Sequence, residues 1–143
     1  MDQLKYYEKI GFDLDGTLFN HPNTEKFANY IRENPHNQQF HIVTFRTHNL
    51  VPRIEPELHK IGLTLADFDS VQHPKDSDYE RYEDALYGDA SDPENAAAID
   101  HWRHFKGAAC KKKGCGVLID DMTADVLPGC EKHGVDHFHP DEF

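Results

Sequence analysis

Phe12-Asp13-Leu14-Asp15-Gly16-Thr17-Leu18 is the segment from which the architecture of this chain follows. Tyr6, Tyr7, Ile10 and Phe12 lead into it as a short apolar and aromatic run, which predicts a strand. Two carboxylates then stand at i and i+2, and these point the same way in extended backbone. Gly16 lets the chain turn sharply away. Neighbouring acids repel unless a cation or a shared proton offsets the repulsion. Hard cations such as Mg²⁺ favour one or two carboxylates together with waters and phosphate oxygens. The pattern points to a metal site with one carboxylate free to attack. Asp-x-Asp-Gly is also written in calcium loops and in strand-ending turns. A calcium loop needs further oxygen ligands and a closing Glu about twelve residues on, whereas Thr17-Leu18-Phe19 follows here.

Downstream, Asn23 is the expected cap of a helix carrying Phe27, Tyr30 and Ile31, which Asn34-Pro35 ends. Phe40 to Phe45 predicts a second strand by its β-branched and aromatic content, with Thr44 near its end. Ile54, Leu58 and Ile61 mark one face of a helix over about 51–61, its start blurred by Pro52 and Pro56 and its end set by Gly62. Phe68 to Val71 suits a short third strand. Residues 76–92 are polar and acidic, a surface excursion with one short helix. Asp92-Pro93-Glu94 is a helix start, and the helical pattern runs toward Lys113 with Gly107 as a point where it can split. Gly116 to Ile119 predicts a buried strand that ends in Asp120-Asp121. A helix around 124–133 and a strand over 135–138 close the chain. Strands alternating with helices predict one α/β domain over residues 1–143. Its fold is a three-layer, Rossmann-like parallel sheet with helices on both faces.

The chain of 143 residues carries 26 Asp and Glu against 15 Lys and Arg, a net charge of −11 with its 11 histidines neutral. That balance disfavours nucleic acid and anionic membranes as partners. No basic-then-apolar leader and no apolar run near membrane-spanning length stand in the sequence, which predicts a soluble, cytoplasmic protein. Cys110, Cys115 and Cys130 are an odd number with no disulfide framework, suited to a reducing compartment.

In parallel sheets, sites form where strand carboxyl ends meet at a switch point. Three of the expected strands end in chemically useful groups: Asp13 with Asp15, Thr44, and Asp120 with Asp121. Asp13-x-Asp15-Gly16-Thr17-Leu18, the strand ending in Thr44, and the apolar strand ending in Asp120-Asp121 with Asp125 after it resemble the haloacid dehalogenase (HAD) superfamily of phosphatases. The likeness covers most of the chain in the right order, and its first motif is the most specific. It implies that Asp13 is the nucleophile forming an aspartyl-phosphate and that Asp15 is the general acid and base. It further implies Mg²⁺ on Asp13, the Asp15 carbonyl and Asp121 with Asp120 in support, and Thr44 as a phosphate-binding hydroxyl. The family also balances charge with a lysine. Lys106 is the choice here, although a continuous helix from Pro93 would place it in mid-helix, unlike the usual helix-start position. Lys75 and Lys111 are its rivals.

Arg46 follows Thr44 closely and is a candidate for the substrate phosphate, or else a loop arginine pairing with local acids. His41 and His48 flank the second strand and are expected at the surface with most other histidines. Cys110, Cys115, Cys130 and His133 are a candidate zinc set, and His137 and His139 a candidate adventitious metal pair. The short gap over residues 19–22 leaves no room for an inserted cap, and residues 75–92 amount to a small lid. The resemblance therefore implies a member without a separate cap domain. Such a member takes a large phosphorylated substrate or uses a neighbouring subunit of a homo-oligomer as its cap, while a nucleotide also fits an open site. The expected activity is phosphomonoester hydrolysis on a nucleotide, phosphoprotein or other phosphomonoester. The alternatives are a non-catalytic phosphate- or partner-binding protein and a phosphotransferase.

Overall fold

A computed structural model describes residues 1–143. Five parallel strands, β1 (Lys9–Phe12), β2 (Gln39–Val43), β3 (Ser70–Gln72), β4 (Val117–Ile119) and β5 (Asp136–Phe138), form one sheet in the order β3-β2-β1-β4-β5. The chain builds outward from β1 to β3, then crosses back to add β4 and β5 on the other side. Strand order therefore reverses beside β1, and the crevice between the carboxyl ends of β1 and β4 is the switch point.

Side-chain alternation along each strand sorts the core into two layers. Ile10, Phe12, Ile42, Val117 and Ile119 face α1 (Thr24–Glu33) and α2 (Ile54–Lys60), where Phe27, Ile31, Ile54 and Leu58 join them. Val43 and Leu118 face the other way, toward α4 (Pro93–Lys113) and α5 (Thr123–His133), where they meet Ala109, Cys110, Val126 and Cys130. The result is the expected three-layer, Rossmann-like α/β arrangement. Gly11 faces the second layer, and a methyl there would meet Cys110 Sγ at 3.1 Å. Glycine at that strand position lets α4 lie close over the sheet.

Several local expectations change in the folded chain. Tyr6 and Tyr7 stand outside β1, and Tyr7 instead donates its hydroxyl to Asp136 at 2.6 Å. Asn23 precedes α1, but its side-chain amide donates to the carbonyls of Pro140 and Phe143, tying the helix start to the chain end rather than capping it. The 51–61 helix opens with a 3₁₀ turn over Val51–Arg53 before α2 begins at Ile54, because Pro52 has no amide to donate. Residues 76–87 form α3 (Asp76–Tyr87), which packs on α4 through Tyr79 and Tyr82 against Trp102; Trp102 in turn stacks on Phe45 at 4.8 Å. The acidic excursion is thus anchored by aromatic stacking to the residue after Thr44.

Gly107 does not split α4, which runs unbroken for 21 residues with the Asp92 side chain accepting from the Glu94 amide at its start. Gly107 serves a different purpose. A methyl on it would overlap the backbone of Gly129, and one on Gly129 would lie 2.9 Å from His104 Cα. The two helices cross backbone to backbone at these glycines. Gly107→Ala therefore lowers stability by about 2 kcal/mol through overpacking, although alanine is the better helix former by about 1 kcal/mol. Chemical denaturation measures this, and a stabilised variant would show that the helices do not meet there.

Candidate active site

Asp13, Thr44 and Asp120 each follow directly on the last residue of a strand: β1, β2 and β4. Phe12 pairs with Ile119, so the next step of the register sets Asp13 beside Asp120. The Asp13 amide still donates to the Ile119 carbonyl at 3.0 Å. By alternation both acids belong to the α4 side of the sheet. Lys106 lies on that side in mid-helix, with only 1% of its surface exposed, and donates to Asp13 Oδ1 at 2.8 Å and Asp120 Oδ2 at 2.5 Å. The helix-start position expected for this lysine gives way because the Gly107–Gly129 crossing brings the middle of α4 over the strand ends. Lys75 and Lys111, its rivals, are exposed and make no ion pair. Phe45 covers Lys106, with the ammonium 4.4 Å from the ring centre.

Asp13 is 5% exposed and Asp120 fully buried. Thr17 donates its hydroxyl to Asp13 Oδ2 at 3.1 Å, and the Met122 amide donates to Asp120 Oδ1 at 2.8 Å. Asp121 presses against Gly16, whose φ of +83° excludes a side chain that would strike the Asp121 carboxylate. One Asp121 oxygen, Oδ1, is buried with no hydrogen-bond partner. Oxygens of Asp13, Asp120 and Asp121 all lie within 4.8 Å of one another.

Asp13 and Asp120 share one ammonium with Asp121 beside them, which leaves an excess of negative charge in a largely buried place. Burial pushes the Asp13 carboxyl up to about 8 and outweighs the pull of Lys106, while Asp120 pushes it further the same way. The sign for stability follows. In the metal-free protein the folded state holds this proton and the unfolded state does not between pH 4 and 8, so stability falls as pH rises through that window. In EDTA the melting temperature therefore drops between pH 6 and pH 8.5, and Asp13→Asn flattens the drop. An equal slope in that variant would assign it elsewhere. An oxygen-only donor set, an unpartnered buried carboxylate oxygen and uncompensated charge together fit a hard divalent cation.

The Asp15 carboxylate does not share this cluster. After the Gly16 turn its carboxylate accepts from Arg46 Nε at 2.9 Å and Nη2 at 2.7 Å, and 60% of its side chain is exposed. Asp13 and Asp15 thus face different cations, contrary to the shared site that their i, i+2 spacing suggests. Arg46 hydrogen bonds hold Asp15 below the usual carboxylate range. Arg46 is itself held by Glu57 Oε2 at 2.5 Å and lies 5.5 Å from the Phe19 ring centre, so it bridges the loops after β1 and β2 and α2. Thr44, 1% exposed, accepts from the Arg46 amide at 3.1 Å. Thr17, Phe45 and Glu57 were missed as site residues. Thr17 stands inside the first motif, but Glu57 and Phe45 have no signal short of the fold.

The remaining candidates separate. Cys110, Cys115 and Cys130 are buried thiols in the second core layer, and with His133 they gather no common set of three ligand atoms. His137 Nε2 lies 2.9 Å from the Asp120 carbonyl, and His139 Nδ1 accepts from the Asp141 amide at 3.0 Å, so each is engaged locally. His41 lies inside β2 and is buried, with Nδ1 2.6 Å from Ser70 Oγ, while His48 pairs with Asp76. No helix is long and apolar enough to cross a membrane.

The fold and site together define a Rossmann-like α/β domain with a carboxylate–lysine cluster at its switch point. No model of a known protein family matches the chain, and no curated protein does.

Proposed function

We propose that the chain is a Mg²⁺-dependent phosphomonoester hydrolase of the HAD type, working through an aspartyl-phosphate. The observation that carries this reading is the meeting of Asp13, Asp120, Asp121 and Lys106 at the carboxyl ends of β1 and β4. Asp13, Asp120 and Asp121 would hold the ion, which when bound supplies neutralisation of the anionic nucleophile and phosphate.

In the first step an Asp13 carboxylate oxygen attacks phosphorus, and the bond from phosphorus to the ester oxygen breaks. The departing oxygen takes a proton from Asp15. In the second step Asp15, again a carboxylate, takes a proton from water. The resulting hydroxide attacks phosphorus, which frees inorganic phosphate and restores Asp13. Lys106 holds Asp13 in place and offsets charge as negative oxygens gather, and the Thr44 hydroxyl is available to donate to one of them. Arg46 reaches the mouth of the site, where an entering phosphate competes with Asp15 for its guanidinium. Release of that contact lets Asp15 take up the proton that the first step needs.

The Arg46–Asp15 pair also supports a second reading, a non-catalytic phosphate- or partner-binding protein, because it keeps the acid ionised at rest. A panel of phosphomonoesters assayed with Mg²⁺ and with EDTA separates the two. Metal-dependent release of phosphate supports the hydrolase; silence across the panel together with measurable phosphate affinity supports binding. An alcohol acceptor that diverts the phosphoryl group from water would make the chain a phosphotransferase.

A further inference from the structure

Behind the catalytic helix lies a second feature that the hydrolase reading does not use. An open cleft of about 540 Å³ runs between the segment after β3, the start of α3, and the flank of α4 that carries His101, His104, Phe105 and Lys112. Lys75, Arg81 and Lys112 line it with His73, His101 and His104, and Asp78 is its only acid. Asp78 is already partnered, with His101 Nε2 3.3 Å away. The side chains of Lys75, Arg81 and Lys112 make no hydrogen bond or ion pair with the protein. His73 and His104 turn Nδ1 to the backbone carbonyls of Pro74 and Asp100, at 3.1 and 2.7 Å, which leaves Nε2 of each without a protein partner. Phe105 and Ala109 supply an apolar wall.

In a chain with 26 acids against 15 Lys and Arg, three unpaired full cations gathered on one cleft run against the surface average. Unpaired like charges repel, and an anion seated among them relieves that repulsion. We infer that this cleft is a binding site for a compact polyphosphate anion, a small molecule bearing two or more linked phosphates. A polynucleotide fits less well, because beyond the cleft its backbone would meet the acidic surface that the net charge of −11 implies. The site is a matter of binding and stands whether or not Asp13 is a nucleophile.

Isothermal titration calorimetry on the full chain, in EDTA and low salt with tripolyphosphate as probe, tests it. Tripolyphosphate binds at one site, and the double variant Arg81→Glu/Lys112→Glu weakens it about tenfold or more. Asp13→Asn leaves that affinity within about twofold, because none of the residues lining the cleft belongs to the Asp13 cluster. Lys75→Ala, in an exposed turn, provides a second measure and weakens binding a few-fold. Circular dichroism confirms that the variants are folded. No binding to the wild-type chain would overturn the inference, as would binding that Asp13→Asn removes and the cleft variants spare. An oligonucleotide binding as tightly as tripolyphosphate would overturn the assignment to a compact ligand.

Discussion

Asp13→Asn lowers turnover of an aryl phosphate with Mg²⁺ by about 10³-fold or more, as removal of a covalent nucleophile does in other enzymes. The substitution keeps the shape of the side chain and replaces an anionic oxygen with an amide that cannot form an acyl phosphate. It also removes one of the two carboxylates that share Lys106, whose ammonium keeps Asp120 as its partner at 2.5 Å. The metal-free variant therefore melts no lower than the wild-type chain at pH 8, and lost activity cannot be blamed on unfolding. Steady-state kinetics and a thermal melt on the same preparation check both halves. Activity within tenfold of wild type would remove the aspartyl-phosphate mechanism.

Lys106→Met has the largest expected effect on stability. Its ammonium lies between two buried carboxylates, and breaking a buried pair by deleting one partner costs about 3–5 kcal/mol. For a chain of this size that is a fall of roughly 10–17 °C in melting temperature. Methionine fills most of the lysine stem's volume, so the loss is electrostatic rather than a cavity. Two responses tell this cause from simple damage. Adding Asp120→Asn recovers much of the lost stability, because it removes one of the stranded charges. Raising the pH past about 8, where Asp13 ionises, widens the gap, since a stranded carboxylate costs more than a paired one. A melt unchanged in Lys106→Met would show that the lysine does not bridge these acids.

Most of the strand and helix order was legible because periodicity and turn chemistry are local. Val117 to Ile119 is apolar on both faces, and Phe40, Ile42 and Val43 make the second strand nearly so, which only a covered parallel strand requires. Gly114 and Gly134 stop helices at left-handed positions that other residues resist. The strand-end acids were legible for a related reason: a carboxylate directly after a buried strand has few structural uses. Less local features were harder to place. Asn23 has the composition of a cap, but its side-chain amide is drawn to carbonyl acceptors at the chain end instead of capping the helix. His41 has the polarity of a surface residue, yet its position in β2 buries it.

The amino-acid order alone determined the α/β alternation and put Asp13, Thr44 and Asp120 at the ends of three strands, because backbone preference and hydrophobic period act over a few residues. Only the tertiary structure decided which cation each acid meets. Asp13 goes to Lys106 and Asp15 to Arg46, partners 93 and 31 residues distant. Their meeting depends on where α4 crosses α5 at Gly107 and Gly129 and on how the chain turns at Gly16. Side-chain partnership at that range is set by packing geometry, which spacing along the chain does not encode.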